Sequence, residues 1–300
     1  MKAKFLITCF SLTAALIYQS CDYVRNAVPS TTGSSTTGSS TTGGTTGIIY
    51  RKVLIEDYTG HKCGNCPAAA RELRKLDSIY TGKIVPMAVH AGFYAAVTPA
   101  SNPPYPTDFK SQAGTDFDTF FGNSLAGNPN GLVNRTGYGS ASFIKQWSDW
   151  GTSAYSMMSM PADFKISISN TYNSSTNQVT TVVTTKAINT KTGIFNLVVV
   201  LTEDSIVAEQ IDYSLPMGSQ YVSNYEFNHV LRGAVNSTWG DQIVAASINA
   251  NDSVVKTYSN FQLSAGWKSK KCKVVAFVYD AGATSLTQYE VLQAEEKIVE

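Results

Sequence analysis

The sequence is poor in charge. Aspartate, glutamate, lysine and arginine make up 15% of its 300 residues, and the formal net charge is +1. Such a balance produces no electric field that would attract nucleic acid or acidic substrates. The basic run at 268–273 is typical of a solvated turn before a strand. We therefore predict that the protein has no nucleic-acid partner.

Long apolar runs are also absent after the first twenty residues. Two lysines at the N-terminus precede the apolar run 5–17, which is too short to cross a bilayer but suits a signal peptide. Ser-Cys at the end of this segment resembles a bacterial lipoprotein signal, in which the cysteine is lipidated. We expect residues 1–21 to be that signal, with Cys21 as the lipid attachment point. An ordinary signal peptide with an incidental Cys21 is the alternative.

A segment of very low complexity follows. Every residue from 30 to 47 is Ser, Thr or Gly, and such a composition cannot bury enough apolar surface to offset its ordering entropy. We predict a flexible tether over 22–47, with a root-mean-square reach of about 28 Å. A spacer of this kind would hold a folded domain away from a membrane.

Cysteine is scarce, with five in the whole chain. After removal of the signal and lipidation of Cys21, only Cys63, Cys66 and Cys272 remain. Cys63 and Cys66 form a Cys-x-x-Cys motif. It lies between the β-branched and aliphatic run 53–55 and a helical segment that opens with Pro67. Thiols at a strand-to-helix junction face the positive end of the helix dipole, which favours the thiolate. Cys272 heads an apolar strand, where a buried thiol is the expected form.

The Cys-x-x-Cys motif is also compatible with a zinc site or a structural clip. A zinc site would need four ligands, and His61, Cys63 and Cys66 supply at most three from this segment. His90 or His229 could complete the set, although the sequence has no second Cys-x-x-Cys. As a structural clip, Cys63–Cys66 would be inert, although a disulfide that closes so short a loop adds little stability. We favour redox-active thiols, with no metal and no cofactor other than the disulfide itself.

The segment 48–160 has an α/β pattern of strand, helix, strand, helix, strand, helix. A strand over 83–90 ends in His90, a helix covers 114–121, and a closing helix is predicted over 141–158. Functional groups gather at the carboxyl ends of strands in such sheets. His90 should therefore lie near Cys63, either to tune the thiolate or hold substrate, or as a structural histidine.

Residues 53–158 resemble a thioredoxin fold that carries an insertion. The resemblance implies that Pro129 has a cis peptide bond and packs against the cysteines. It also implies that Asp57 is a buried acid that exchanges protons with the resolving thiol Cys66, and that Cys63 is the exposed nucleophile. The dipeptide between the cysteines is Gly-Asn instead of Gly-Pro, and Lys62 replaces the usual tryptophan, so the direction of electron transfer is not readable.

The segment 161–300 has a different pattern of apolar and polar residues. Period-two alternation over 164–169 and in part over 179–185 predicts strands, and Asn-, Ser- and Thr-rich turns bound them. Further strands are predicted over 195–201, 230–235, 254–263, 273–279 and 289–294. About seven short strands without helical periodicity favour an immunoglobulin-like antiparallel β-sandwich. The overall fold class is therefore α/β plus all-β, in two domains.

Taken together, these motifs resemble the Bacteroidetes outer-membrane lipoproteins named for a twenty-eight-kilodalton member. The matching pieces are the signal, the block 56–67, His90-Ala91-Gly92, the stretch 129–135 and the stretch 228–232. The resemblance implies an outer-membrane location, on the periplasmic or the surface side. It implies little about biochemical activity, beyond surface adhesion for some members.

Two functions remain in competition. The first is a tethered thiol–disulfide oxidoreductase in which Cys63 attacks a protein client and Cys66 resolves the mixed disulfide. The second is a surface adhesin or binding module that uses the redox fold as a scaffold and recognises a surface partner. An accessory subunit of an envelope complex is a third, weaker idea. In each case the outer membrane is bound through the lipid anchor.

Overall fold

Strand β1 (Val53–Thr59) is buried along its whole length, as is typical of a β-branched and aliphatic run with neighbours on both sides. The structure is a computed structural model, and it describes residues 47–284 and 286–300. The predicted signal, Cys21 and all but the last residue of the tether lie outside the described residues. The described chain from Gly47 onward is one compact unit.

Strands outnumber helices in the described residues because the second half has no α-helix. Within the described residues the α-helices are α1 (Cys66–Ile79), α2 (Gln112–Phe121), α3 (Asn123–Ala126) and α4 (Trp150–Met158). The strands that follow β1 in the first half are β2 (Ile84–His90), β3 (Asn130–Val133) and β4 (Lys145–Gln146). Those of the second half are β5 (Phe164–Asn173), β6 (Gln178–Ala187), β7 (Lys191–Thr192), β8 (Phe195–Glu203), β9 (Ile206–Ile211), β10 (Tyr221–Phe227), β11 (Val230–Ala234), β12 (Asp241–Val244), β13 (Ser247–Ile248), β14 (Ser253–Gln262), β15 (Cys272–Asp280) and β16 (Val291–Ile298).

A mixed sheet runs through both halves of the described chain. Its order is β16-β15-β8-β11-β2-β1-β3-β4, with β12 also paired to β8. β1 is parallel to β2 and antiparallel to β3. The two halves join where β11 pairs with β2 through Val230 and Ala88. Strands from the predicted domains 48–160 and 161–300 thus share one sheet, and the division into two domains stays a prediction.

The second half is built as two packed sheets. A three-stranded sheet in the order β14-β6-β5 contributes Phe164, Ile166 and Val183 to a core that also contains Leu197 and Val274 from the large sheet. Alternate residues of β8 and β15 enter a second core on the opposite face of the large sheet. Strands buried on both faces read as continuous apolar runs, which explains the compositions of 195–201 and 273–279.

Most predicted elements are confirmed, and one is wrong in its length. All seven strands predicted after residue 160 have counterparts in β5, β6, β8, β11, β14, β15 and β16. The helix predicted over 141–158 begins only at Trp150. Residues 145–149 instead form β4 and a short 3-10 turn, because Lys145 pairs with Gly131 at the end of the sheet.

Helix α1 is held against the sheet by one apolar face. Ala69, Leu73 and Leu76 recur at helical spacing and pack on Val53 and Ile55 of β1. A proline lies in the first turn of the helix, where its missing N–H would have had no partner. No helix of the described residues is both long enough and apolar enough to span a bilayer.

Candidate functional site

The two cysteines lie where β1 passes into α1. Cys66 is the first residue of α1, and Cys63 sits in the preceding turn, where its N–H donates to the Gly60 carbonyl at 3.0 Å. The two sulfurs form a disulfide. The strand, turn and helix expected from the sequence are therefore present, with the pair in its oxidised state.

Both sulfur-bearing residues are buried. Cys63 is 3% exposed and Cys66 is 2% exposed. The expectation of an exposed Cys63 nucleophile is therefore wrong for this conformation. The physical reason is a hairpin of β9 and β10, which comes from the second half of the chain and covers the turn that carries the cysteines.

Three hydrogen bonds attach the hairpin to that turn. The Ile211 N–H donates to the His61 carbonyl at 3.0 Å, and the Tyr213 N–H donates to the Gly64 carbonyl at 2.8 Å. The Gln210 side-chain amide donates to the Cys63 carbonyl at 3.0 Å. Carbonyls of the cysteine turn thus accept hydrogen bonds from one continuous segment, residues 210–213.

Gly64, between the two cysteines, makes this approach possible. A Cβ atom at position 64 would overlap the aromatic ring of Tyr213. The ring therefore lies directly on the glycine. The departure from the usual Gly-Pro order does not affect this position, because glycine still follows the first cysteine.

Behind the disulfide lies a small cavity of about 30 Å³. Asp57, Cys66 and His90 line it from the first half of the chain, and Gln210 and Phe227 line it from the hairpin. A cavity of this size holds a water molecule when polar groups are available. The structure therefore brings the predicted acid, the predicted resolving thiol and the predicted histidine to one place.

Asp57 is the most unusual group in the cavity. Its side chain is 1% exposed, and its Oδ1 atom has no hydrogen-bond partner among the described residues. Burial without a nearby cation disfavours the charged form. It raises the pKa of Asp57 to about 8, so the carboxyl group carries a proton near neutral pH.

His90 is buried and uncharged. It is 2% exposed and packs against the rings of Phe109 and Phe227, with centroids 4.7 and 5.5 Å away. Burial lowers the pKa of His90 to about 3, with smaller contributions from His61 and Arg232. A neutral imidazole cannot stabilise a thiolate by its charge. Its two ring nitrogens lack partners among the described residues, so one can accept a hydrogen bond from a ligand or a water and the other can donate one.

Pro129 has the cis peptide bond that the resemblance implied, after Asn128. It immediately precedes β3, in which Asn130 pairs with Tyr58 of β1. Pro129 therefore lies beside the end of β1, where the turn to Cys63 begins. It does not line the cavity behind Cys66.

The remaining candidates lie elsewhere or serve packing. His61 is buried, stacks on Tyr105 at 5.2 Å and has a pKa lowered by burial. Cys272 is a free buried thiol, as expected. In the described part of the chain, no three His, Cys, Asp or Glu residues are grouped in a way that could hold a metal ion.

The hairpin was not predicted from the sequence at all. β9 and β10 nevertheless carry a signal, because 206–211 contains β-branched residues and 221–222 adds Tyr-Val. These β-branched and aromatic residues are sufficient to predict two strands. Nothing in them indicates that the strands return to cover a turn nearly 150 positions earlier.

Comparison with known proteins assigns the family. The sequence profile described as outer membrane protein Omp28 matches residues 117–299. The chain belongs to the Omp28 family. Membership of the Omp28 family associates the protein with the outer membrane. The matched range begins after the disulfide, so it covers the hairpin but neither cysteine of the pair.

Two solved structures are similar in fold to this Omp28 family member. HBP35 of Porphyromonas gingivalis has a TM-score of 0.58 and 17% identity, over 84% of this chain and 76% of that one. Protein AGR_C_4864 from Agrobacterium tumefaciens has a TM-score of 0.51 and 14% identity, over 84% of this chain and 96% of that one. At these identities the likeness concerns the fold alone. No curated protein matches the sequence.

Proposed function

We propose that this protein is a lipid-anchored outer-membrane protein whose Cys63–Cys66 pair exchanges disulfides with protein clients. The observation that carries the proposal is the cavity shared by Cys66 and Asp57 at the start of α1. A disulfide alone would fit a structural clip equally well. A buried acid with a pKa of about 8 beside the second sulfur is what proton transfer near neutral pH requires.

The exchange step follows from the oxidised pair. A client thiolate attacks Sγ of Cys63, a client–Cys63 bond forms, and the Cys63–Cys66 bond breaks. Cys66 leaves as a thiolate and takes the proton of the Asp57 carboxyl group. A second client thiolate then attacks the client sulfur of the mixed disulfide and releases Cys63 as a thiolate. Two electrons have passed from the client to the pair, and a reduced pair runs the same steps in reverse.

The other site residues have supporting roles in this proposal. The segment from β1 to α4 acts as a thioredoxin-like domain, in which cis-Pro129 packs beside the turn that carries Cys63. His90 lines the cavity in its neutral form. It would hold a water between its ring and Asp57 and thereby give the proton a path.

Family membership and the N-terminal signal together support attachment to the outer membrane. Cys21 carries the lipid in this proposal, and residues 22–47 act as the tether. Metabolic labelling with a radioactive fatty acid would detect the lipid on the full chain. Its absence from a Cys21→Ala variant would identify the attachment point.

One observation favours a second function. Both sulfurs are nearly inaccessible, as they would be in a structural clip. The alternative is a surface adhesin in which the immunoglobulin-like sandwich of the second half recognises a surface partner. The disulfide would then only brace the scaffold.

Trapping tests the exchange proposal. A Cys66→Ser variant lacks the resolving thiol, so mixed disulfides through Cys63 should accumulate in the cell envelope and be released by reductant. The matched control is Cys63→Ser/Cys66→Ser, which cannot form them. The proposal would be refuted if no mixed disulfide accumulates in the Cys66→Ser variant and the purified protein does not exchange with a small disulfide. Partner binding that survives in the double variant would favour the adhesin.

A further inference from the structure

The β9–β10 hairpin stands apart from the main sheet. In the described residues these two strands pair only with each other and form a separate two-stranded sheet. The hairpin is held to the cysteine turn by the three hydrogen bonds described above. Displacing residues 210–213 from the turn would therefore break no hydrogen bond of the nine-stranded sheet, while Ala208 and Phe227 keep the base of the hairpin packed against Phe109 and Val230.

The contact between the hairpin and the cysteine turn is made by main-chain hydrogen bonds. The two main-chain donors are Ile211, the last residue of β9, and Tyr213, in the turn that follows it. They donate to the carbonyls of His61 and Gly64. An extended peptide that docks on another chain uses main-chain hydrogen bonds in the same way.

The hairpin also blocks the chemistry. A thiolate must reach a sulfur of the disulfide to exchange with it, and Cys63 is only 3% exposed beneath residues 210–213. The Tyr213 ring fills the space above Gly64. Exchange therefore requires this segment to leave.

We propose that Gln210–Tyr213 occupy the client-binding edge of the disulfide site, and that the client is an extended polypeptide segment that displaces them. The hairpin is then a self-inhibiting strap. This inference rests on the proposed function, because it names the substrate class of the same site. The strap itself indicates what fits: two N–H donors at alternate positions, and a large side chain over Gly64.

The outer fastening of the strap is an ion pair with one solvated partner. Arg71 bonds Asp212 at 2.9 Å and Ser214 at 3.1 Å; the Arg71 side chain is 43% exposed and the Asp212 side chain is 8% exposed. Because the guanidinium is solvated, the pair contributes little to stability, and salt screens it. Tyr213 and Met217 next to this fastening are 55% and 94% exposed. They offer apolar surface that an incoming polypeptide could contact.

The rate of disulfide reduction by dithiothreitol measures strap opening directly. A Gly64→Ala variant adds a Cβ that pushes the Tyr213 ring away, and a Tyr213→Ala variant removes the ring. We expect each to raise the rate constant by about tenfold, since both increase the open population. In the double variant the added Cβ meets no ring, so the rate should match that of Tyr213→Ala alone. Tyr155→Ala, at a distant exposed ring on α4, is the control and should leave the rate unchanged.

Thermal unfolding of each variant shows whether it is folded. If Gly64→Ala fails to fold, Arg71→Ala provides the second route, with an expected rise of about threefold. Equal reduction rates in wild type, Tyr213→Ala and Arg71→Ala would overturn the inference, because the sulfurs would then be reached with the strap in place.

A peptide tests the client edge. In the Tyr213→Ala protein, a synthetic peptide with the native sequence of residues 206–215 should occupy the vacated edge and slow reduction towards the wild-type rate. The same peptide with alanine in place of its tyrosine should not. A native peptide without effect would contradict the assignment of this edge to a client. These rates need no client, so failure of the exchange proposal would appear only in the Cys66→Ser trap.

Discussion

Glu56 and Asp57 are neighbours on β1, yet their carboxyl groups lie in opposite surroundings. Both are buried, at 0% and 1% exposure. Glu56 accepts two hydrogen bonds of 2.7 Å from the Arg135 guanidinium, whereas among the described residues no cation offsets the burial of Asp57. Successive residues of a strand face opposite sides of the sheet. The Glu56–Arg135 pair therefore lies on one face of β1, and the isolated acid Asp57 lies on the other.

The difference shows that burial alone does not identify a functional acid. Arg135 lies against the rings of Phe117, Phe121 and Phe277, at 4.4 to 4.9 Å from their centroids. The guanidinium fastens β1 to the second half of the sheet and neutralises the Glu56 carboxylate. Asp57 faces a cavity instead, and its isolation is what raises its pKa to about 8.

The largest expected effect comes from breaking the neutralised pair. Arg135→Met leaves the Glu56 charge buried without a partner, which costs about 3–5 kcal/mol. Urea unfolding should report that loss in the free energy of unfolding. As a control, Glu56→Gln/Arg135→Met removes both charges and should recover part of it. If the single variant is as stable as wild type, the pair is not the structural fastening described here.

Replacing the isolated acid, Asp57, should raise the free energy of unfolding near neutral pH instead of lowering it. The folded pKa of Asp57 is about 8, above the unfolded value of about 3.9. Between these values the native state binds more protons than the unfolded state, so stability falls as the pH rises. Asp57→Asn removes this dependence.

The measurement is the free energy of unfolding of both proteins from pH 5 to pH 7. The wild type should lose stability relative to Asp57→Asn by about 1.4 kcal/mol per pH unit over this window. The reduction rate by dithiothreitol at pH 7, where Asp57 still carries its proton, should be lower for Asp57→Asn, because the amide cannot give a proton to the leaving Cys66 thiolate. Parallel stability curves would mean that Asp57 is hydrated or paired in solution.

The smallest effect is expected from the ion pair between Arg71 and Asp212. Arg71→Ala removes this contact, but Arg71 is 43% exposed and the Asp212 carboxylate keeps two hydrogen bonds from Ser214, so the loss of stability should stay below about 1 kcal/mol. Added salt should reduce the difference further. A loss as large as that of Arg135→Met would show that exposure does not separate the two pairs. The strap would then be far more firmly held than its contacts indicate.

The sequence predicts local elements well, because periodicity and turn residues act over short range. The strands of the second half and the helix after Cys66 are examples. The closing helix was overextended because Lys145 pairs with β3, a tertiary contact that composition does not encode. The continuity of one sheet across residue 160 is long-range in the same way.

For the site, the sequence predicts the residues but not their accessibility. Asp57, Cys66 and His90 come together as expected, since they lie at adjacent strand ends. The charge of His90 and the burial of Cys63 depend on Phe227 and Gln210, which lie more than 130 positions away. Only the folded chain brings these groups into contact.

The junction at Ala88 has a consequence for how such proteins can be dissected. Ala88 pairs with Asp57 on one side and with Val230 on the other, and its N–H donates to the His229 carbonyl at 2.8 Å. The wall that keeps bulk solvent away from the acid is therefore built from both halves of the chain. In an excised fragment 48–160, Asp57 would be exposed to solvent. A fusion of that fragment to an unrelated protein would keep the cysteines but lose the buried acid beside them.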